Sequence, residues 1–153
     1  MVPPRLTAVT LGARDMARLR AYYQALGWPE LAGGSEEWAG YLLGGVLLAL
    51  YPIGELAAEA GLDASAGPGV ITLACNVDTR DAVDAAFAAA VAAGAEAVAE
   101  PQDRFWGGRS AYVADPEGNR WEIAWAPMAV VDERGALVSF GGDANGDDDE
   151  GDG

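Results

Sequence analysis

Asp115-Pro116-Glu117-Gly118-Asn119-Arg120-Trp121-Glu122-Ile123 is the stretch on which the fold turns. Asp, Pro and Gly at the first, second and fourth positions of a four-residue turn suit type I geometry. The ring of Pro116 presets its φ, and the carboxylate of Asp115 can accept from the turn's own backbone. The residues that follow alternate: Trp121, Ile123 and Trp125 share one strand face, and Arg120, Glu122 and Ala124 share the other. The tract therefore predicts a hairpin over 109–125. It carries an apolar face and a second face on which Glu122 is the principal charge.

Before that hairpin the sequence gives a strand over 70–77 and a cap at Asp78-Thr79. A helix with Val83, Phe87 and Val91 as its stripe follows, stopped by Gly94, and then a short strand over 95–100. Trp106-Gly107-Gly108 lies in the loop leading into the hairpin. The first half of the chain repeats the plan. An apolar run over 6–11 leads to Asp15, a good N-cap, and to Met16, Leu19, Tyr23 and Leu26 at helical spacing, with Gly27 closing the helix. A weak strand is expected over 29–32. Two further strands, 38–43 and 46–51, flank Gly44-Gly45, a hairpin signal. The halves meet at a Gly/Pro/Ser linker over 64–69.

This organisation predicts an α+β fold: two tandem βαβββ modules, about 5–60 and 69–127, forming a curved sheet with the helices on its outer face. They form a single domain over 1–140 that includes an extra hairpin at 128–140. The Gly/Asp-rich tail, 141–153, is expected to be disordered. In each strand one face is large and apolar, as in Val9 and Leu11, Leu48 and Leu50, or Leu73 and Cys75. The other is small or polar: Ala8, Thr10, Ala49, Thr72, Asn76 and Glu122. The first suits packing on helices and the second the lining of a ligand crevice between the modules.

The chain has 153 residues and a formal charge of −15. Six acids lie in the last eleven positions, so the body without them still carries −9. An acidic body repels nucleic acid and favours a cationic or neutral ligand. All nine basic residues are arginines, and histidine is absent. That removes imidazole as a base or metal ligand and lysine as a Schiff-base former. No apolar run reaches the ~18 residues of a membrane span, and the first residues lack a signal-peptide pattern, so a cytoplasmic protein is expected. The single cysteine, Cys75, excludes an internal disulfide and reads as a buried, inert thiol.

Three motifs carry a resemblance. They are Val9-Thr10-Leu11-Gly12-Ala13-Arg14-Asp15; Tyr22-Tyr23-Gln24-Ala25-Leu26-Gly27-Trp28; and Trp106-Gly107-Gly108 with Asp115-Pro116-Glu117-Gly118-Asn119-Arg120-Trp121-Glu122. With the paired modules, they resemble the vicinal oxygen chelate superfamily, which includes glyoxalase I, bleomycin-resistance proteins and extradiol dioxygenases. The resemblance covers 6–127. In that superfamily's metalloenzymes four inward strand positions supply the ligands. Matched by motif, they fall here on Ala8, Ala49, Thr72 and Glu122. Only the last is a donor of the usual kind, whereas a divalent site normally needs three.

The resemblance and this departure together imply a metal-independent small-molecule-binding protein of the bleomycin-resistance type, with no cofactor. The alternatives are a lyase, isomerase or dioxygenase of the glyoxalase-like kind with an atypical divalent site, and a metal-free enzyme using Glu122 and a tyrosine for proton transfer. The candidate ligand-binding residues are Glu122, Trp106, Tyr51, Asn76, Thr10, Thr72, Tyr41 and Arg109. Glu122 could instead pair with Arg5, Arg109 or Arg120, and Trp106 could anchor its own loop. The expected partners are a small organic ligand, cationic by the charge argument, and a second copy of the chain in a homodimer, with no nucleic acid and no membrane.

Overall fold

A computed structural model of the chain describes residues 1–141; the expected disordered tail lies almost wholly outside the described residues. The first module comprises β1 (Ala8–Ala13), α1 (Met16–Ala25), β2 (Ala39–Leu43), β3 (Val46–Pro52) and α2 (Ile53–Ala60). The second comprises β4 (Thr72–Asn76), α3 (Ala82–Ala92), β5 (Glu96–Asp103), β6 (Arg109–Ala114) and β7 (Arg120–Trp125). A terminal hairpin, β8 (Ala129–Val131) and β9 (Leu137–Phe140), follows.

Sheet order is β1-β3-β2 in the first module and β4-β7-β6-β5 in the second. In each, the opening strand runs parallel to the last, and the remaining pairs are antiparallel. The α+β class and the paired modules are as expected, and the sheets are open and curved. Among the described residues no strand pairing joins the two sheets. The weak strand expected at 29–32 is reduced to a single bridge between Glu30 and Tyr41.

Asp15 caps α1, its carboxylate accepting from the Arg18 N–H at 2.9 Å. Gly27 leaves the helix at φ +81°, open to glycine at no steric cost. The helix α2 was not expected, yet its signal is present. Ile53, Leu56, Ala57 and Ala60 recur at helical spacing, and Gly61 closes the helix in the left-handed region at φ 67°.

The two modules share one core. Leu11, Leu48 and Leu50 of the first sheet belong to the same buried cluster as Val83, Val113, Trp121 and Ile123 of the second. Burying each such side chain stabilises the fold by about 1.5–3 kcal/mol. Tyr23 lies between them, fully buried, stacked on Trp28 at 5.4 Å and edge-on to Trp121 at 6.2 Å. Its hydroxyl donates to Asp115 Oδ2 at 2.6 Å and accepts from Trp121 Nε1 at 3.0 Å.

Asp115 also accepts from the backbone N–H groups of Glu117 and Asn119 and from Asn119 Nδ2. Glu117 Oε1 accepts from the N–H groups of Arg14 and Asp15, both at 2.8 Å. The acids of the 115–119 turn thus tie α1 and its cap to the second module. No helix among the described residues is long and apolar enough to cross a membrane.

Cys75 departs from expectation. It is exposed, because β4 is an edge strand that pairs only with β7. Its thiol faces a hollow beside Tyr22 and Trp28, and partial burial there raises its pKa.

Candidate ligand-binding face

The alternation read from the sequence holds, with a consequence for the crevice. The large apolar faces of both sheets meet in the shared core, so the small and polar faces point away from it. Ala8, Thr10, Thr72, Ala74 and Asn76 are exposed. Much of the two small faces is therefore open to solvent.

The richest polar arrangement lies on the second sheet. Tyr112 stands directly opposite Glu122 in the β6–β7 register, and Ala74 flanks Glu122 on β4. The Tyr112 phenol is raised above its ordinary value, first by burial and then by the charge of the Glu122 carboxylate. Arg104 pulls the other way; its guanidinium carbon stands 5.9 Å from the centroid of the Tyr112 ring. The Arg104 Nε donates to the buried Ser110 Oγ at 2.7 Å. Glu122 is half-buried and forms no ion pair with any arginine of the described residues. The alternative pairing with Arg5, Arg109 or Arg120 is therefore not formed.

On the first sheet, the ring of Trp38 lies over Gly40, where any side chain would collide with it. Gly40 is the register partner of Ala49, which is buried at 4% exposure. Tyr51, half-buried on the same face, donates its hydroxyl to Glu59 Oε1 at 2.9 Å, and that bond raises its pKa.

The structure distributes the expected site residues unevenly. Thr72, Asn76 and Glu122 share the small face of the second sheet, and Thr10 and Tyr51 that of the first. Tyr41 is corrected. It pairs with Leu48, points into the core against Tyr23 and is fully buried. Arg109 is corrected too. It lies on the helix side of β6, where Nε and one terminal nitrogen donate to the two Asp84 oxygens at 2.8 Å and the other donates to Asp103 at 3.2 Å. Trp106 folds back over Gly108 and anchors its own loop. Arg104, Ser110 and Tyr112 were not singled out from the sequence. The signal for Tyr112 lay in the hairpin itself, since a turn closed between Asp115 and Asn119 sets it across from Glu122.

A divalent ion of the kind the fold family uses does not fit these residues. The four matched positions offer two methyl groups, one hydroxyl and one carboxylate, and Ala49 sits beside the Trp38 ring. No cluster of three or more Cys, Asp or Glu side chains suited to a metal occurs among the described residues.

A paired βαβββ fold with an open face carrying a tyrosine and a glutamate in register defines the class: a two-module α+β scaffold of open, curved sheets. The sequence profile of the Glyoxalase/Bleomycin resistance protein/Dioxygenase superfamily matches residues 5–123, and the chain belongs to that superfamily. Among solved structures, a glyoxalase-related enzyme from Fulvimarina pelagi superposes with a TM-score of 0.83 at 28% identity, over 89% of this chain and 98% of that one. A glyoxalase/bleomycin resistance protein/dioxygenase family enzyme from Burkholderia phytofirmans PsJN gives 0.69 at 28% identity, over 78% and 96%. An uncharacterised protein of Mycobacterium bovis is 42% identical over 62 residues, 40% of this chain and 41% of its own length. The match thus spans about two fifths of that curated relative.

Proposed function

We propose that the chain is a metal-independent binder of a small cationic organic ligand, of the bleomycin-resistance kind, acting in the cytoplasm as a homodimer. The observation that carries the reading is Glu122. It is a half-buried carboxylate without an arginine partner among the described residues, set among small side chains and opposite a phenol. A carboxylate so placed retains acceptor capacity for a ligand ammonium or guanidinium, and charge-assisted bonds of this type are about twice as strong as neutral ones. The Tyr112 phenol supplies a neutral donor beside it.

Proton-transfer catalysis by the same pair is less favoured. The raised pKa of Tyr112 keeps its proton in place at neutral pH, which suits a hydrogen-bond donor better than a general acid or base. The open faces support the homodimer. A second copy laid over them would turn an exposed sheet into an enclosed pocket, the form in which small ligands are usually held.

Calorimetric titration with bleomycin, a bulky cationic probe, tests the reading. Saturable binding that Glu122→Ala weakens at least tenfold is expected, with the melting temperature of the ligand-free protein, the control for folding, unchanged. Binding unaffected by Glu122→Ala removes that residue from the site. Stoichiometric metal in protein purified without chelators overturns metal independence, and a single-chain mass in light scattering overturns the dimer.

A further inference from the structure

A further cavity lies away from the Glu122 face. It has a volume of about 430 Å³ and opens between β1 and β4, roofed by α2 and the 62–69 linker. Its walls come from the apolar faces of the opening strands and from the helix side: Val9, Leu11, Leu56, Leu62, Ile71 and Leu73. Leu11 and Ala57 are buried, whereas Leu62 and Ile71 are 61% and 72% exposed. These values grade the cavity from an apolar floor to an apolar mouth. At about 30 Å³ for each water-sized group, it accommodates roughly a dozen non-hydrogen atoms.

Four charged residues line the cavity, and three of their side chains are already occupied. The Arg14 guanidinium donates to the carbonyls of Ala64 and Ala66 and stands 3.7 Å from Glu117. Glu117 accepts from two backbone N–H groups. Asp63 accepts from the backbone N–H and the hydroxyl of Ser65. Arg120 differs. It turns back to donate to the Gly118 carbonyl at 3.0 Å and meets no carboxylate among the described residues. A guanidinium has five N–H donors, so most of its capacity is unspent. Donors in excess at an apolar mouth complement an anion, and the satisfied acids offer little to a cation.

We propose that this cavity is a second binding site, distinct from the Glu122 face, for an amphipathic monocarboxylate. Its apolar body of about ten carbons lies along Leu11 and Leu73, and its carboxylate is held by Arg120.

The probes are decanoate and decylamine, equal in chain length and opposite in charge, titrated calorimetrically below their micelle concentrations. Decanoate is expected to bind saturably, one per chain, at least tenfold more tightly than decylamine, and to raise the melting temperature. Arg120→Gln should weaken decanoate at least tenfold and leave decylamine unchanged. Ile71→Glu, at an exposed position that leaves folding intact by circular dichroism, should abolish decanoate binding. Glu122→Ala should not alter it, which separates this site from the proposed cationic one. Equal binding of the two amphiphiles, absence of saturable binding, or an Arg120→Gln variant with unchanged affinity overturns the proposal. So does an Ile71→Glu variant that dissociates a dimer while the native chain fails to bind decanoate, since the cavity then belongs to a second copy.

Discussion

Tyr23→Phe is the sharpest test of how the modules are held together. The change removes one oxygen atom at a fully buried position and leaves the ring, with its stacking on Trp28, in place. Two bonds are lost: the 2.6 Å bond to Asp115 and the 3.0 Å bond from Trp121 Nε1. The first ends on a carboxylate and belongs to the class worth about 1.5–3 kcal/mol, and stranding the indole N–H adds about 1 kcal/mol. Asp115 keeps three other donors, which limits the damage. The expected loss is about 2–4 kcal/mol in urea unfolding with an unchanged m-value. Tyr22→Phe, on the neighbouring ring, should cost well under 1 kcal/mol because no hydrogen bond to that hydroxyl is formed among the described residues. The pH dependence gives a second readout. Burial first, and Asp115 second, hold the Tyr23 phenol above its ordinary value, and burial pushes Tyr22 up to about 12. The folded state retains protons that the unfolded state releases. This stability is complete below the unfolded value of about 10 and drains as pH rises above it. The native chain should therefore lose stability between about pH 10 and 12, and Tyr23→Phe should lose it less steeply. A Tyr23→Phe cost below about 0.5 kcal/mol would refute the network as the link between modules.

Gly108→Ala should destabilise by about 1–3 kcal/mol and shift tryptophan emission, because the new methyl meets the Trp106 ring and the Trp125 carbonyl. Gly107→Ala, with open space around it but φ at 93°, provides the contrasting case of backbone strain without a clash. Arg109→Ala should leave ligand binding on the Glu122 face unchanged, because its guanidinium is engaged with Asp84 and Asp103. Both carboxyls are lowered, chiefly by hydrogen bonds from Arg109 and Arg80 respectively. Their contribution is present above the unfolded carboxyl range and lost as pH falls through the folded one, so the variant should show a flatter acid limb in a pH-stability profile.

Most of the fold was legible because its determinants are local. The Asp115–Gly118 turn, the Asp15 cap and the Gly44-Gly45 hairpin each specify their own backbone within a few residues. The single bridge at Glu30 was over-read as a strand, since a short segment containing Pro29 has too few ladder bonds to extend. How the two modules meet is less legible, for a different reason. Alternation says which residues share a face, but not whether two modules meet through their apolar or their small faces. That choice is made by long-range contacts such as Tyr23 with Asp115, ninety-two residues apart.

Tyr41 shows where the sequence held an answer that a residue-by-residue reading passes over. A two-residue turn at Gly44-Gly45 pairs Leu43 with Val46, Leu42 with Leu47 and therefore Tyr41 with Leu48. Leu48 belongs to the apolar face, so Tyr41 had to share it, and the pairing rule alone excludes it from the ligand face. The same reasoning applied to the second hairpin recovers a functional candidate. With Asp115 closed on Asn119, Ala114 meets Arg120, Val113 meets Trp121 and Tyr112 meets Glu122. A register fixed by a turn thus locates both the tyrosine that the core takes and the tyrosine that stands beside the free carboxylate. Position 122 then retains a polar partner although the matched positions 8, 49 and 72 supply no ligand set. Under the proposed function, that pairing is what would let a lone carboxylate hold a ligand without a metal.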